Sequence, residues 1–223
     1  MPERWLSCKM AHNFVRLWPV CPRASIMASD VIQATLAPPK AGLPRFQAVL
    51  FRRLLFPLYC RCTSWDKAVA VFRAEGHKSL RAAQRLTPDA FRTRILIRPL
   101  WGLEDSSRYW SVEMILEHLI EVGARIATTI VELSHGEKPA TDVTEVPPSG
   151  GRGLGLLQDY RAFLDDYADT LAEDVGDRRS ELTHPHPWFG QLTVHRWVCL
   201  GAHHQAVHRR QLEAIVTDPH FRR

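Results

Sequence analysis

From Val194 onward, the positions Val194, Trp197, Gly201, His204, His208, Gln211 and Ile215 recur at spacings of three and four. That is the period of the inward face of a bundle helix. A chain with this stripe must pack it against other helices, yet His204, His208 and Gln211 on it are polar. An imidazole in a core has no water to bond, so each must find a hydrogen-bond partner or a metal, or cost about 1–3 kcal/mol. Residues i and i+4 of a helix point the same way with Cβ atoms roughly 5–6 Å apart, which suits two imidazoles on one ion. Two ligands are too few for a tight site, so the pattern calls for a third from another helix.

The best donor is His118, within WSVEMILEHLIEVGARIATTIVEL from Trp110 to Leu133. The apolar stripe there runs Val112, Ile115, Leu119, Val122, Ile126, Ile130 and Leu133, and His118 lies beside it, one turn from Met114 and Val122, so it can face the interior. Two readings stand together: an inward histidine that is simply hydrogen-bonded in the core, and a three-histidine site for a divalent metal.

The 223 residues are 45% hydrophobic and 9% aromatic, enough for one domain with a real core and extensions. No run approaches the ~18 apolar residues of a membrane span, because Arg52, Arg53 and Arg73 break the oily region around LLFPLYC. The five cysteines, Cys8, Cys21, Cys60, Cys62 and Cys199, are odd in number and form no CxxC pair, which points away from a disulfide framework and toward a reducing, cytoplasmic setting. Cys199 reads as a small buried apolar residue on the flank of the histidine helix. Of the net charge of +5, residues 1–26 hold +3, from Arg4, Lys9, Arg16 and Arg23 against Glu3. The other basic residues are scattered among apolar ones, so neither a nucleic-acid-binding face nor a membrane role is expected.

Residues 1–43 read as an amino-terminal extension, expected to be poorly ordered, and 44–223 as one domain. The first 26 residues lack helical periodicity and the continuous apolar core of a secretory signal, and the native start is expected at Met27. A short amphipathic helix follows from Pro44, ending near Pro57, with Leu50, Leu54 and Leu55 packed on the main body. Four long helices come next. The first is capped by Ser64 and closed by Thr87-Pro88, with Gly76 weakening its middle. Arg94 to Ile97 reads as an extended connector, since a lone strand has no partner. The second helix runs from Ser111 to about Ser134. The loop PPSGGRGLG lacks the context of a phosphate-binding motif and reads as a flexible connector. The third helix carries Leu156, Tyr160, Phe163, Leu164, Tyr167 and Leu171 on one face. A rigid two-proline turn, HPHPWFGQLT, leads to the fourth, about Leu192 to Thr217. The expected fold is all-α, an antiparallel four-helix bundle with an extra short N-terminal helix, and the long second connection permits a crossover.

At these residues the chain resembles the DinB/YfiT-like superfamily of metal-dependent four-helix bundles. The matching elements are Trp110-Ser111, Leu116 and His118-Leu119; the turn His186 to Thr193; and the run His204, His208 and Gln211. They span roughly Ser64 to Val216. The resemblance implies a divalent metal, zinc or nickel, held by His118, His204 and His208. Some members of the superfamily are transferases or isomerases that use a low-molecular-weight thiol. Two features depart from the usual pattern: Arg209-Arg210 stand where small residues are common, and His203 adjoins His204 but is turned ~100° away on the helix.

Three neutral histidines on such an ion leave a position for water or a thiolate, the arrangement of a catalytic site. Glu117, Glu121 and Gln211 are candidates to orient a ligand imidazole, although the two acids are also simply read as solvated. Trp188 and Phe189 are candidates to line the mouth of a pocket, or to plug the bundle end. Glu-x-x-His di-iron chemistry is excluded, because Ile115, Gly201 and Gln205 stand three residues before the histidines. Two functional readings remain: a metal-dependent transferase or hydrolase acting on a small molecule, and a non-catalytic bundle whose structural site pins two helices while its surface binds a partner protein. A homodimer through the extra N-terminal helix fits either.

Overall fold

The computed structural model describes residues 31–39, 41–139 and 148–221. The basic arm 1–26 and the expected start at Met27 lie outside them, as does part of the loop before Pro148. The chain forms an N-terminal helix α1, which runs through Arg45–Leu50, a π turn Phe51–Leu55 and Phe56–Cys62, followed by α2 (Trp65–Ala83) and a short α3 (Pro88–Arg92). Strands β1 (Ile95–Leu96) and β2 (Tyr109–Trp110) flank a 3-10 turn, and α4 (Val112–Ser134) follows. After a glycine-rich connection come α5 (Leu156–Glu173), the hairpin β3 (Thr183–His186) and β4 (Gly190–Thr193), and α6 (Val194–Val216). The all-α bundle with an extra N-terminal helix is thus observed, built from α2, α4, α5 and α6.

The caps that start these helices are local. Ser64 Oγ accepts from Lys67 N at 3.3 Å and Ser111 Oγ from Met114 N at 3.2 Å, each satisfying an amide that the first turn leaves free. Thr87-Pro88 does more than close α2: Thr87 Oγ1 accepts from Ala90 N at 3.3 Å, so it starts α3.

Side-chain pairs set the directions of the helices. Phe72 stacks on Tyr167 with ring centroids 3.7 Å apart, while Gly76, one turn later, faces Leu164, one turn earlier; α2 and α5 are antiparallel. On α4 and α6, His118 meets His204 whereas Ile126 lies by Gly201, so these too are antiparallel. Helices α4 and α5 run parallel: Gly153, just before α5, bonds Glu113 at the start of α4, and His135 Nε2 meets Asp174 O at 2.8 Å where both helices end. Around the ring α2 touches α5 and α6, and α4 touches the same two. The bundle is therefore up-down-down-up rather than uniformly antiparallel, and the long second connection is the crossover that a parallel neighbour requires.

Four local expectations are corrected. Pro57 does not end α1, because a proline in the first turn of a helical segment loses no bond that the π turn before it had left to make. The π turn also shifts the phase of that helix, so Phe51, Phe56 and Cys60 are buried while Leu54 and Leu55 are exposed. Ile95–Leu96 is not a lone extended stretch: it pairs antiparallel with Tyr109–Trp110, a partner distant in sequence. The two-proline turn is a β-hairpin, His186 opposite Gly190, whose φ of +76° suits glycine.

The glycine-rich connection is anchored rather than flexible where it is described. Glu117 Oε2 accepts from Gly150 N at 2.7 Å and Oε1 from Ser149 Oγ at 3.0 Å, while Glu113 accepts from Gly153 N. Two buried carboxylates on α4 thus take up the loop amides, a charge-assisted arrangement.

Candidate metal centre

Helix α4 brings His118, and the facing antiparallel α6 brings His204 and His208, to one point in the core. One ligand atom from each lies within 4.8 Å of the others. The Nε2 atoms of His118 and His204 are 3.0 Å apart; two nitrogens held at ~2.05 Å on a tetrahedral ion would stand about 3.3 Å apart. The ring centroids are separated by 5.0 Å for His118 and His204, and by 4.6 Å for His208 to each of the others. His118 and His208 are buried and His204 half-buried.

Burial decides the protonation of these rings. It pulls His118 and His204 well below the ordinary imidazole range, with the neighbouring His208 adding to the effect. His208 is pushed down to about 4 by burial, against a partial restoring effect from its bond to Gln211. All three are neutral at pH 7, the form whose lone pair binds metal.

Gln211 selects the tautomer of His208. Its amide nitrogen donates to Ser107 O at 2.6 Å, which turns its oxygen toward His208 Nδ1 at 2.7 Å. Nδ1 must then carry the proton, and Nε2 presents its lone pair to the cluster. Trp110 packs flat against His208, interplanar angle 4°, and tilts over His118 at 5.1 Å; beside it, His118 Nδ1 is buried without a hydrogen-bond partner.

A cavity of about 50 Å³ opens onto His204 and His208, several times the room one water needs. Its apolar walls include Phe51, Leu103, Val122, Leu200, Trp188 and Phe189, so the two aromatics singled out in the sequence do stand on it. Its polar positions, besides the two cluster histidines, are Glu104, Ser107, His186 and His203. His186 accepts from Trp188 N at 3.2 Å through Nδ1, and His203 stands beside the rings of Phe51 and Tyr59. Burial pushes both His186 and His203 down to about 4, Arg210 contributing for His203.

Neither acidic candidate hydrogen-bonds to the cluster. Glu117 is neither solvated nor turned to the histidines; it is buried and holds Ser149 and Gly150. Glu121 is half-buried on the same helix, and none of the three histidines bonds to it. His203 points to the cavity wall and stays outside the three-nitrogen cluster. Cys199 is fully buried and outside it as well. Arg209, which departs from the small residues of the resemblance, ion-pairs with Glu75 of α2 and Glu213 on the outside of α6.

Sequence reasoning missed Glu104 and His186. Glu104 is 3% exposed and accepts from Gly42 N at 2.7 Å, while Asp105 accepts from Ala37 N at 2.8 Å. These bonds bring Leu43 over the cavity. The adjacent acids of GLED, in a segment with no helical period, were the available signal.

No family model and no curated protein matches the chain. Among solved structures it is similar to one described as "Crystal structure of TT2238, a four-helix bundle protein", 26% identical, covering 68% of this chain and 98% of that one, with a TM-score of 0.45. A likeness that loose carries no argument here, and the fold stands on the chain's own contacts.

Proposed function

We propose that this protein is a DinB-like metal-binding bundle that works as a metal-dependent enzyme of the thiol-dependent transferase or hydrolase type, with His118, His204 and His208 as ligands of one divalent ion, zinc or nickel. One observation carries the reading: three neutral imidazoles converge in the core, and two of them also face a cavity. The donor set fits such an ion, because burial keeps the rings neutral and Gln211 aims the His208 lone pair inward. Such an ion supplies a Lewis acid that makes a bound water or thiol nucleophilic near neutral pH. The chain's own residues do the rest. Gln211 and Ser107 orient His208, Trp110 excludes water from one side, and the apolar walls admit a small substrate. Glu117 holds the crossover loop through Ser149 and Gly150 instead.

The rival reading, a structural ion that only pins α4 to α6 while the surface binds a partner protein, predicts a sealed site; the cavity on His204 and His208 favours the open one. A cytoplasmic setting and a homodimer through α1 belong to the same proposal. Among the described residues no helix is long and apolar enough to cross a membrane.

The test is metal content by mass spectrometry on protein purified without an affinity tag, for wild type, His118→Ala and His204→Ala. About one ion per chain, lost in both variants while the helical circular dichroism persists, is expected. No metal in the wild type, even after zinc and nickel are added back, would overturn the assignment. Unfolding of both variants together with metal loss would favour the structural reading.

A further inference from the structure

Away from the histidine cluster, two cysteines far apart in sequence meet where α1 ends against the start of α6. Cys60 and Cys199 are both buried, at 6% and 0% exposure, and their thiols lie near enough for each to be the first influence on the other's ionisation. His195, one turn before Cys199, ties them further: its Nε2 lies 3.1 Å from Cys60 O and 3.6 Å from Cys199 Sγ. A ring nitrogen that meets a carbonyl must carry the proton, so His195 Nε2 donates to Cys60 O, with the Cys199 sulfur at its side. These three groups do not converge for a metal, since among the described residues the only such cluster is that of His118, His204 and His208.

We propose that Cys60 and Cys199 are a redox pair that closes to an intramolecular disulfide on exposure to a peroxide, bonding α1 covalently to α6. The two thiols are unequal, as such a reaction requires. The contact with Cys199 and the nearby Arg196 guanidinium favour the Cys60 thiolate, while Cys199 is held protonated. The Cys60 thiolate attacks a peroxide oxygen; the O–O bond breaks, a sulfenic acid forms on Cys60, and the hydroxide that leaves takes up the proton that the Cys60 thiol had released, giving the first water. The Cys199 sulfur then attacks the Cys60 sulfur. The S–O bond breaks as the S–S bond forms, and the Cys199 proton leaves with the hydroxyl as a second water. Two thiols are oxidised and one peroxide is reduced to two waters. Hydrogen peroxide is small enough to reach a thiol as enclosed as Cys60, and the exposed Cys62 is the competing target.

The bond would fix the wall of the cavity. Helix α1 carries Phe51, and α6 carries His204, His208 and Val207, all of which line it. Oxidation would thus hold these two walls together whether or not a metal is bound.

The experiment uses the full-length chain, reduced and then freed of reductant. It is treated with equimolar hydrogen peroxide, alkylated, digested with trypsin without reduction, and sequenced by mass spectrometry. Cleavage after Arg61 parts Cys60 from Cys62, and cleavage after Arg196 isolates Cys199. A peptide ending in Arg61 linked to the peptide beginning at Trp197, with about two thiols lost per chain, is the expected result. Cys62→Ser should form the same link. Cys60 oxidised to sulfinic acid while Cys199 stays free, or Cys60 joined to any other cysteine as the main product, would overturn the proposal. Because the wild-type linkage is itself decisive, poor folding of a Cys60→Ser or Cys199→Ser variant would not obscure the answer.

Discussion

Gln211 accepts the Nδ1 proton of His208 at 2.7 Å, one turn along the same helix, while its own amide is held by the carbonyl of Ser107. Two residues on the bundle stripe and one in a distant loop thereby decide which nitrogen of a buried imidazole is free. Gln211→Leu removes that control. It should weaken zinc or nickel affinity by roughly 10–100-fold while the helices stay folded, as read by competition with a chromophoric chelator. Unchanged affinity would mean that the Gln211 bond does not orient His208.

Two glycines set how closely the helices approach. A Cβ on Gly76 would come within 2.3 Å of Leu164, and one on Gly123 within 2.3 Å of Phe163. Alanine is the better helix former by about 1 kcal/mol, yet overpacking costs typically 1–3 kcal/mol. Gly76→Ala and Gly123→Ala should each lose stability in urea unfolding, whereas Gly155→Ala, with open space around it, should stay within ~0.5 kcal/mol of wild type.

Removing the Glu117 carboxylate frees Ser149 and the Gly150 amide of the crossover. Glu117→Ala should cost about 1.5–3 kcal/mol and expose the 148–153 stretch to limited proteolysis, with metal content unchanged. A loss of metal with intact loop protection would instead assign Glu117 to the site.

His186, His203 and His208 are each pushed down to about 4, so the folded chain keeps them neutral at pH values where the unfolded chain protonates them near 6.5. The stability they permit is complete above that pH and is lost as pH falls from about 6.5 toward 4, with a slope of up to ~1.4 kcal/mol per pH unit for each histidine. Denaturant titrations of the metal-free protein at pH 8, 6 and 5 should show the decline. A flat profile across that range would show that these rings are solvated rather than buried.

Much of the bundle was legible because it is written in local periods. The stripe Val194, Trp197, Gly201, His204, His208, Gln211 and Ile215 is the inward face of α6, and Ser64 and Ser111 start α2 and α4 where capping chemistry placed them. His118 lies inside the bundle, as its position beside an apolar stripe allowed. The strand from Ile95 was not legible as paired, because its partner is supplied by chain more than ten residues away, and the π turn in α1 moved Leu54 outward in a way that no regular period encodes.

Helix existence, the caps and the polar positions on each stripe follow from the sequence alone, since each depends on neighbours within a turn or two. Which helices touch, which of them run parallel, and where the loop carboxylates point depend on packing between segments far apart in the chain, as in the ion pair of Glu75 with Arg209, 134 residues apart. That is why the three histidines could be nominated from spacing, while the cavity beside them, the His186 wall, the Gln211 to Ser107 bond and the Cys60 to Cys199 contact were decided only when the helices closed on one another.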